Sequence, residues 1–157
     1  MSILEKRVEY NFPYSLLSDE TGGSLQSLHL VSCAFHPRTA LGCHKNLYPS
    51  YVHITGEELE HFVSSCSSLV QLLISRCNDI VCFRGYQAYV LRHLNHFHVT
   101  ECQKLGVIEI NAPKLSNFVC LGAEVKHITM MGMFGDLVRL TCLFTLTRCH
   151  SASSTYS

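Results

Sequence analysis

The chain has 157 residues, 47% of them hydrophobic and 15% charged, which is enough apolar material for one folded domain and unlike a disordered segment. Its 12 Lys and Arg residues balance 12 Asp and Glu residues, so net charge gives no electrostatic reason to expect a nucleic acid or an anionic membrane as partner. The start of the sequence lacks the apolar core of a secretory signal, and the longest apolar stretch, Leu137 to Leu146, falls short of the roughly 20 residues that span a bilayer.

The first 24 residues contain aromatic side chains that alternate with polar or small ones, at the two-residue period of a strand: Tyr10, Phe12 and Tyr14. A polar turn ending at Gly23 separates this run from the repeats that follow. We expect residues 1–24 either to cap the open end of those repeats or to pack on a preceding, truncated repeat. The density of aromatic residues favours the second arrangement, because a cap usually has a polar outer face.

A leucine-rich pattern recurs along the rest of the chain. It is clearest from Leu69 to Ile80, which reads L-x-x-L-x-I-x-x-C-x-x-I and is typical of a short strand entered from a turn. Six copies, the second worn and the sixth degenerate, begin at Leu25, His44, Leu69, Leu94, Leu115 and Leu137. All of their spacings (19, 25, 25, 21 and 22 residues) except the first fall in the range of about 20–29 for leucine-rich repeats.

This recurrence predicts a fold of class α/β. We expect a short leucine-rich-repeat solenoid over residues 25–128, with a parallel concave sheet and an irregular or helical convex side, because one repeat cannot bury its apolar side alone. Residues 129–157 are expected to form a degenerate last repeat and a flexible tail rich in Ser and Thr.

Proline and glycine shape the first two repeats. Pro37 and Gly42 break the outer segment of residues 35–43, which we expect to be a loop with at most one helical turn. In the second repeat Pro49 takes a strand position, where it cannot donate a hydrogen bond to a neighbouring strand. We therefore expect a weakened or distorted strand around residues 46–51.

The second repeat also carries the clearest helix signal. Thr55 and Glu58 have the spacing of a capping box, in which each side chain accepts from the other residue's backbone N–H. Apolar residues then follow at helical spacing on one face: Leu59, Phe62, Val63 and Cys66. The other face carries Glu57, Glu60 and His61. The pattern predicts a capped amphipathic helix.

The outer segments of the later repeats are less distinct. Residues 81–90 have no capping residues and are expected to be extended or briefly helical. Residues 106–110 alternate in polarity and are expected to be extended. Beyond Val125 the repeat pattern fades.

The cysteines point to a reducing compartment. There are nine, an odd number, and no Asn-x-Ser/Thr glycosylation site accompanies them. Four occupy repeat positions that face the core, where Cys serves as a small apolar residue: Cys33, Cys77, Cys102 and Cys120. We expect reduced thiols and an intracellular, cytoplasmic or nuclear, protein.

Strands in register would make the third and fifth positions of every repeat point out of the concave sheet as two ladders of side chains. The third positions are Ser27, Asn46, Gln71, His96, Asn117 and Arg139; the fifth are His29, Tyr48, Leu73, His98, Val119 and Thr141. Such a mixture suits a protein or peptide partner, and we favour it over a merely solvated face because solenoids commonly bind there. The candidate partner-binding residues are Asn46, Tyr48, Gln71, Leu73, His96, His98, Asn117 and Val119.

Catalytic and metal sites find little support. Cys77 and Cys82 with His93, His96 and His98 have the residue types of a zinc site. A core Cys77 and concave-face histidines would point apart, so we predict no metal or cofactor. The Gly-x-Ser-x-Gly, Gly-Lys-Ser/Thr phosphate-loop and His-Glu-x-x-His signatures are missing, which favours a non-enzyme.

The Cys-ended repeats and four linking segments carry a family resemblance. These segments are Tyr10–Pro13 (YNFP), Ser15–Glu20 (SLLSDE), His53–Leu59 (HITGEEL) and Ala112–Ser116 (APKLS). Over about residues 8–128 the chain resembles the repeat portion of plant F-box/FBD/leucine-rich-repeat proteins. In that family the F-box binds the adaptor of a cullin ubiquitin ligase, and the repeats are thought to hold substrate.

The resemblance implies a non-catalytic protein–protein interaction module that recognises a ubiquitin-ligase substrate. Residues 1–24 do not have the F-box pattern, so we do not expect direct binding to the cullin adaptor. The sequence after residue 128 also departs from the family, as in a truncated gene product or splice form. The alternative reading is a structural remnant without independent function.

Overall fold

The computed structural model describes residues 10–17, 25–38, 45–85, 91–131 and 139–143. Predictions for the remaining residues, including the outer segment of residues 39–43 and the tail after residue 143, lie outside this described part. A short 3₁₀ helix at Tyr14–Leu17 comes first. The other elements are β1 (Ser27–Val31), β2 (Asn46–Ser50), α1 (Gly56–Ser64), β3 (Gln71–Ser75), β4 (Cys82–Gly85), β5 (His96–Thr100), β6 (Val107–Asn111), β7 (Asn117–Leu121), β8 (His127–Met131) and β9 (Arg139–Leu143).

Six of these strands form one parallel sheet, the concave sheet of the solenoid, in the order β1-β2-β3-β5-β7-β9. Each strand begins two residues after the start of a copy of the leucine-rich pattern, including the worn second copy and the degenerate sixth. The fourth and sixth positions of β2, β3, β5 and β7 are buried, whereas the flanking positions are half-exposed. The predicted leucine-rich-repeat solenoid with a parallel concave sheet is therefore confirmed.

A second parallel sheet, here called the outer sheet, has the order β4-β6-β8. It covers the other side of the core, where the sequence predicted an irregular or helical layer with some extended segments. Strand β8 was not foreseen, because it lies beyond Val125, where the repeat pattern fades. It pairs with β6 so that Ile128 and Met130 continue the rows begun by Ile108 and Ile110. Strand β8 thus forms without the repeat consensus, because β6 offers it a pairing edge and the core offers its apolar side chains a surface to cover.

The capped helix is confirmed. Thr55 Oγ1 accepts from the backbone N–H of Glu58 at 3.2 Å, and the Glu58 carboxylate accepts from the backbone N–H of Thr55 at 2.9 Å. The apolar side of α1 enters the core, with Phe62 fully buried. Full burial of a phenylalanine stabilises the fold by about 1.5–3 kcal/mol.

Helix α1 also covers the β4 edge of the outer sheet. The Glu60 carboxylate accepts from the backbone N–H of Arg84 in β4 at 2.6 Å, so an edge donor is satisfied by a helix side chain. At the start of the helix, a Cβ on Gly56 would lie 1.9 Å from the carbonyl oxygen of Cys82. Only a residue without a side chain permits this approach of helix to strand.

Pro49 disturbs the concave sheet less than the sequence predicted. Strand β2 pairs along its whole length with β1, but its pairing with β3 skips Tyr48 and Pro49. The gap follows from the missing N–H of proline. The prediction of a weakened strand is thus right about the lost pairing and wrong about the distortion, because the ladder on the other side and the burial of Pro49 hold the strand in place.

Aromatic rings connect neighbouring repeats within the core. Near the N-terminus, Phe35 contacts Phe12 and Phe62 at centroid distances of 5.8 and 5.3 Å. In the middle of the solenoid, Phe97 contacts Phe83 and Phe118 at 5.5 and 5.6 Å, which links the two sheets. Edge-on and tilted rings at these distances add about 0.5–1.5 kcal/mol per pair to the energy of burial.

The described part of the N-terminal segment, residues 10–17, joins the first repeat by a parallel bridge between Asn11 and Ala34. Phe12 N–H donates to the Ala34 carbonyl, and Ala34 N–H donates to the Tyr10 carbonyl, both at 2.8 Å. Leu17 is buried, and Phe12 packs against the core. The segment covers part of the first repeat, and whether it does so as a cap or as the end of a further repeat stays a prediction.

Candidate functional site

The concave sheet brings the candidate residues together in two columns. Strand register aligns the third positions from Ser27 through Asn46, Gln71, His96 and Asn117 to Arg139. The fifth positions form a pair, His29 and Tyr48, and a run from Leu73 through His98 and Val119 to Thr141. All eight predicted binding residues lie on this face and are half-exposed, while the binding itself stays a prediction.

Hydrogen bonds and ring contacts order the N-terminal half of the face. The Asn46 amide donates to Ser27 Oγ at 2.9 Å, and the Tyr48 hydroxyl donates to Gln71 Oε1 at 2.7 Å. The Tyr48 ring also packs against His29 with a centroid distance of 4.4 Å. The contact between Tyr48 and Gln71 spans the gap that Pro49 leaves in the backbone ladder. These side chains are therefore held in place before any partner arrives.

His98 occupies the centre of the face. Burial, and secondly the neighbouring His96, lowers the pKa of His98, while Asn117 on the next strand acts in the opposite direction. The His96 and His98 rings meet edge to face at 6.2 Å. Neither His98 Nε2 nor Asn117 Oδ1 meets the geometry of a hydrogen bond, although both atoms are buried. His98 and Asn117 thus interact with each other, but these two buried polar atoms lack a hydrogen bond of good geometry.

Apolar side chains flank His98 on both neighbouring strands. Leu73 lies beside it on β3 and Val119 on β7, and both are half-exposed. A row of leucine, histidine and valine combines apolar contact area with a hydrogen-bonding group. That combination is typical of the centre of protein–protein interfaces.

A further column lies at the bends that follow β1, β2, β3, β5 and β7, and sequence reasoning missed it. Its residues adopt left-handed backbone conformations, with φ between 50° and 66°: Ser32, Tyr51, Arg76, Glu101 and Gly122. The Arg76 guanidinium lies 5.1 Å from the centroid of the exposed Tyr51 ring and pairs with the Glu101 carboxylate. The available signal was position, because Ser32, Arg76 and Glu101 each directly precede a core cysteine.

The core cysteines are small apolar residues. Burial raises the pKa of Cys77 and of Cys120 to about 12, so both thiols keep their protons at neutral pH. Cys77 Sγ lies 3.3 Å from the Ser75 carbonyl oxygen inside the core, whereas His96 and His98 lie on the concave face. Across the ranges that the structure describes, no three His, Cys, Asp or Glu side chains come together as a metal site.

The outer sheet carries its own charged group. Arg84 Nε lies 3.4 Å from Glu109 Oε2, and His127 Nε2 lies 3.8 Å from the other oxygen of that carboxylate. Burial raises the pKa of the nearby Glu60, against the opposing effect of Arg84. Opposite charges meet on neighbouring elements here, which suits a structural role on the outer surface.

The chain as a whole matches one known family. A model of the At1g61320/AtMIF1 leucine-rich-repeat domain matches residues 1–155. No curated protein and no solved structure matches the chain. The match confirms the repeat part of the plant resemblance, while the F-box/FBD type stays a prediction. Helix α1 has nine residues, and the described part of the chain contains no helix long and apolar enough to cross a membrane.

Proposed function

The chain belongs to the At1g61320/AtMIF1 leucine-rich-repeat family, and from that membership we propose that it is a non-catalytic module that holds a protein or peptide partner on its concave face. The observation that carries this proposal is the register of the concave sheet. Parallel pairing places His96, His98 and Asn117 beside Leu73 and Val119 on one half-exposed surface. Solenoids commonly bind along such a surface.

The finer proposal concerns the pathway. We propose that the partner is a substrate of a ubiquitin ligase and that the chain acts inside the cell, in the cytoplasm or nucleus. Support comes from the resemblance of the linking segments, such as His53–Leu59 and Ala112–Ser116, to F-box/FBD/leucine-rich-repeat proteins. Cys77 and Cys120 are free thiols buried in the core, as expected of cysteines that pack as small side chains in a reducing compartment.

The test is affinity purification of the tagged chain from its native cells beside two variants. The first variant alters the concave face: Leu73→Ala, His96→Ala and His98→Ala. The control variant alters exposed residues elsewhere: His61→Ala, Lys104→Ala and Lys126→Ala. Both variants must first show a melting temperature near that of the parent chain, because Leu73 and His98 are half-buried.

Proteins retained by the parent chain and the control but lost by the concave variant support the proposal. Ubiquitin-ligase substrates among these proteins support the finer proposal. If no such substrate is found, the result supports a protein-binding role but not the ubiquitin-ligase pathway. Equal recovery of the same proteins by all three chains overturns the concave face as the binding surface. Recovery of chaperones alone by all three would favour a structural remnant.

A further inference from the structure

The charges of this neutral chain are unevenly distributed around the concave sheet. The six concave strands and the described residues that lead into them contain no Asp or Glu, whereas Asp136, three residues before β9, lies outside the described residues. These acid-free segments are residues 25–31, 45–50, 66–75, 91–100, 112–121 and 139–143. Their exposed positive residues are Lys45, one residue before β2, Arg92, four residues before β5, and Lys114, three residues before β7. A net charge of zero therefore conceals a positive surface.

Those three residues lie along one edge of the sheet, here called the leading rim. Successive backbone hydrogen bonds tie the residues just before the strands into a ladder: Val70 N–H to the Lys45 carbonyl at 2.7 Å, Asn95 N–H to Val70 at 2.8 Å, and Ser116 N–H to Asn95 at 2.9 Å. Each step of such a ladder is about 4.8 Å. Lys45 and Arg92 precede strands two steps apart, and Arg92 and Lys114 precede adjacent strands, so neighbouring charges are spaced on the order of a Debye length, roughly 8–10 Å.

The opposite edge, which follows the strands and is here called the trailing rim, has no such bias. Arg76 is paired with Glu101 there, and His53 Nδ1 lies 2.7 Å from the Asp79 carboxylate. The exposed Lys104, Glu124 and Lys126 add charges of both signs. The positive potential thus belongs to the concave face and its leading rim, and not to the molecule in general.

We infer that the partner presents an extended acidic peptide segment to the concave face, with its carboxylates along the leading rim and its apolar side chains against Leu73 and Val119. This inference rests on the proposed function and specifies the chemistry of the ligand. Carboxylates of the peptide would meet Lys45, Arg92 and Lys114, and no concave strand carries an acidic residue that would repel them. A basic segment would find no carboxylate there with which to pair.

A nucleic acid fits this surface less well than an acidic peptide. Three Lys or Arg side chains on the rim are few beside the roughly 6–10 phosphate contacts typical of strong nucleic-acid binding. Bases stack best on large aromatic rings, and besides the imidazoles of His29, His96 and His98 the described concave columns offer one tyrosine, Tyr48, whose hydroxyl is already bonded to Gln71. Leu73 and Val119 instead provide contacts for peptide side chains.

The test starts with a phage-displayed library of random peptides, each about 12 residues long, selected on the full chain. Enriched peptides are then labelled, and their affinity is measured by fluorescence anisotropy at about 50 mM and about 300 mM salt. Binding is repeated with the leading-rim variant Lys45→Ala/Lys114→Ala and with the trailing-rim control Lys104→Ala/Lys126→Ala, which removes the same charge from exposed positions.

We expect the selected peptides to be enriched in Asp and Glu and to bind more weakly at the higher salt concentration. The leading-rim variant should lose about five-fold or more in affinity, whereas the trailing-rim control should bind like the parent chain.

Peptides without acidic enrichment that still depend on Leu73, His96 and His98 would overturn this inference and leave the proposed function intact. Peptides that bind the Leu73→Ala/His96→Ala/His98→Ala chain equally well, or a library that yields no binder, would count against both. Tighter binding of a single-stranded RNA of about 12 nucleotides that displaces the peptides would overturn it in favour of a nucleic acid.

Discussion

His98 shows how one residue on the concave face affects the stability of the whole chain. A histidine whose pKa falls on folding binds a proton more readily in the unfolded chain, so acidification favours unfolding. Burial, and secondly His96, lowers the pKa of His98 below its ordinary value of 6.5. Above about pH 6.5 His98 is neutral in both states and does not reduce the free energy of unfolding. As the pH falls from 6.5 toward the lowered pKa, the unfolded chain takes up the proton first and the free energy of unfolding decreases.

We expect His98→Gln to reduce the loss of stability on acidification, because glutamine fills part of the space of the ring and does not titrate. The measurement is urea denaturation of parent chain and variant at about pH 7.5 and about pH 5.5. His61→Gln, an exposed change on α1, is the matched control and should lose as much stability as the parent. Equal losses in all three chains would show that His98 does not carry the effect.

At the scale of elements, the contact between α1 and β4 reverses the usual effect of a glycine substitution. Replacing glycine in a helix by alanine normally stabilises the helix by about 0.5–1 kcal/mol. At Gly56 the new methyl group would overlap the Cys82 carbonyl, which is 1.9 Å from the Cβ position and belongs to the backbone. Helix and strand would have to move apart, and the bond from Arg84 N–H to Glu60 depends on their present spacing.

Gly56→Ala should therefore lower the free energy of unfolding by about 1–3 kcal/mol, as expected for an overpacked core. Gly106→Ala is the control, because the nearest heavy atom to its Cβ position is 4.0 Å away, and this change should alter stability by less than about 1 kcal/mol. Both values come from urea denaturation followed by circular dichroism. A neutral or stabilising Gly56→Ala would mean that the helix is not held against β4 as described.

The sequence was informative about elements where the repeat consensus is present and silent where it is absent. All six concave strands and the capping box of α1 followed from the positions of leucines, Thr55 and Glu58, because these residues specify structure locally. In the outer layer, the alternation of residues 106–110 correctly predicted the extended segment that forms β6, but β8 did not follow, since it has no consensus and pairs with β6. Pro49 led to too strong an expectation, because local propensity says nothing of the neighbouring strand that holds β2 straight.

At the scale of the whole molecule, the rings around Phe97 couple the two sheets. Phe97 is fully buried and contacts Phe83 on the outer sheet and Phe118 on the concave sheet. In a solenoid each repeat contacts only its neighbours, so stability depends on the interfaces between repeats. A cavity at Phe97 weakens the contacts of the central repeats on both sides at once.

Phe97→Ala should lower the free energy of unfolding by about 3–5 kcal/mol and remove hydrogen-exchange protection from β3 through β7 together. Val31→Ala, at a side chain that is 63% exposed, should change stability by less than about 0.5 kcal/mol. Hydrogen exchange followed by mass spectrometry separates the repeats. Loss of protection confined to β5 would show that the repeats unfold independently.

The candidate site could be predicted from the sequence only in part. Strand alternation and repeat register were enough to place residues such as Gln71, His96 and Asn117 in one column. The leading rim and the partial burial of His98 were not foreseen, because they depend on which turns lie side by side and how deeply a ring sits between neighbours. Such properties arise from the stacking of repeats and leave no trace in one repeat alone.

The repeats differ in length by up to six residues, since their starts are separated by 19 to 25, yet the concave strands stay in register without a shift. The outer segments therefore accommodate the differences in repeat length, and the concave strands do not change their register. The length of a repeat can therefore change without changing which side chains face the ligand. An insertion in an outer segment leaves the recognition columns aligned, whereas one extra residue inside a strand would turn its recognition side chains into the core.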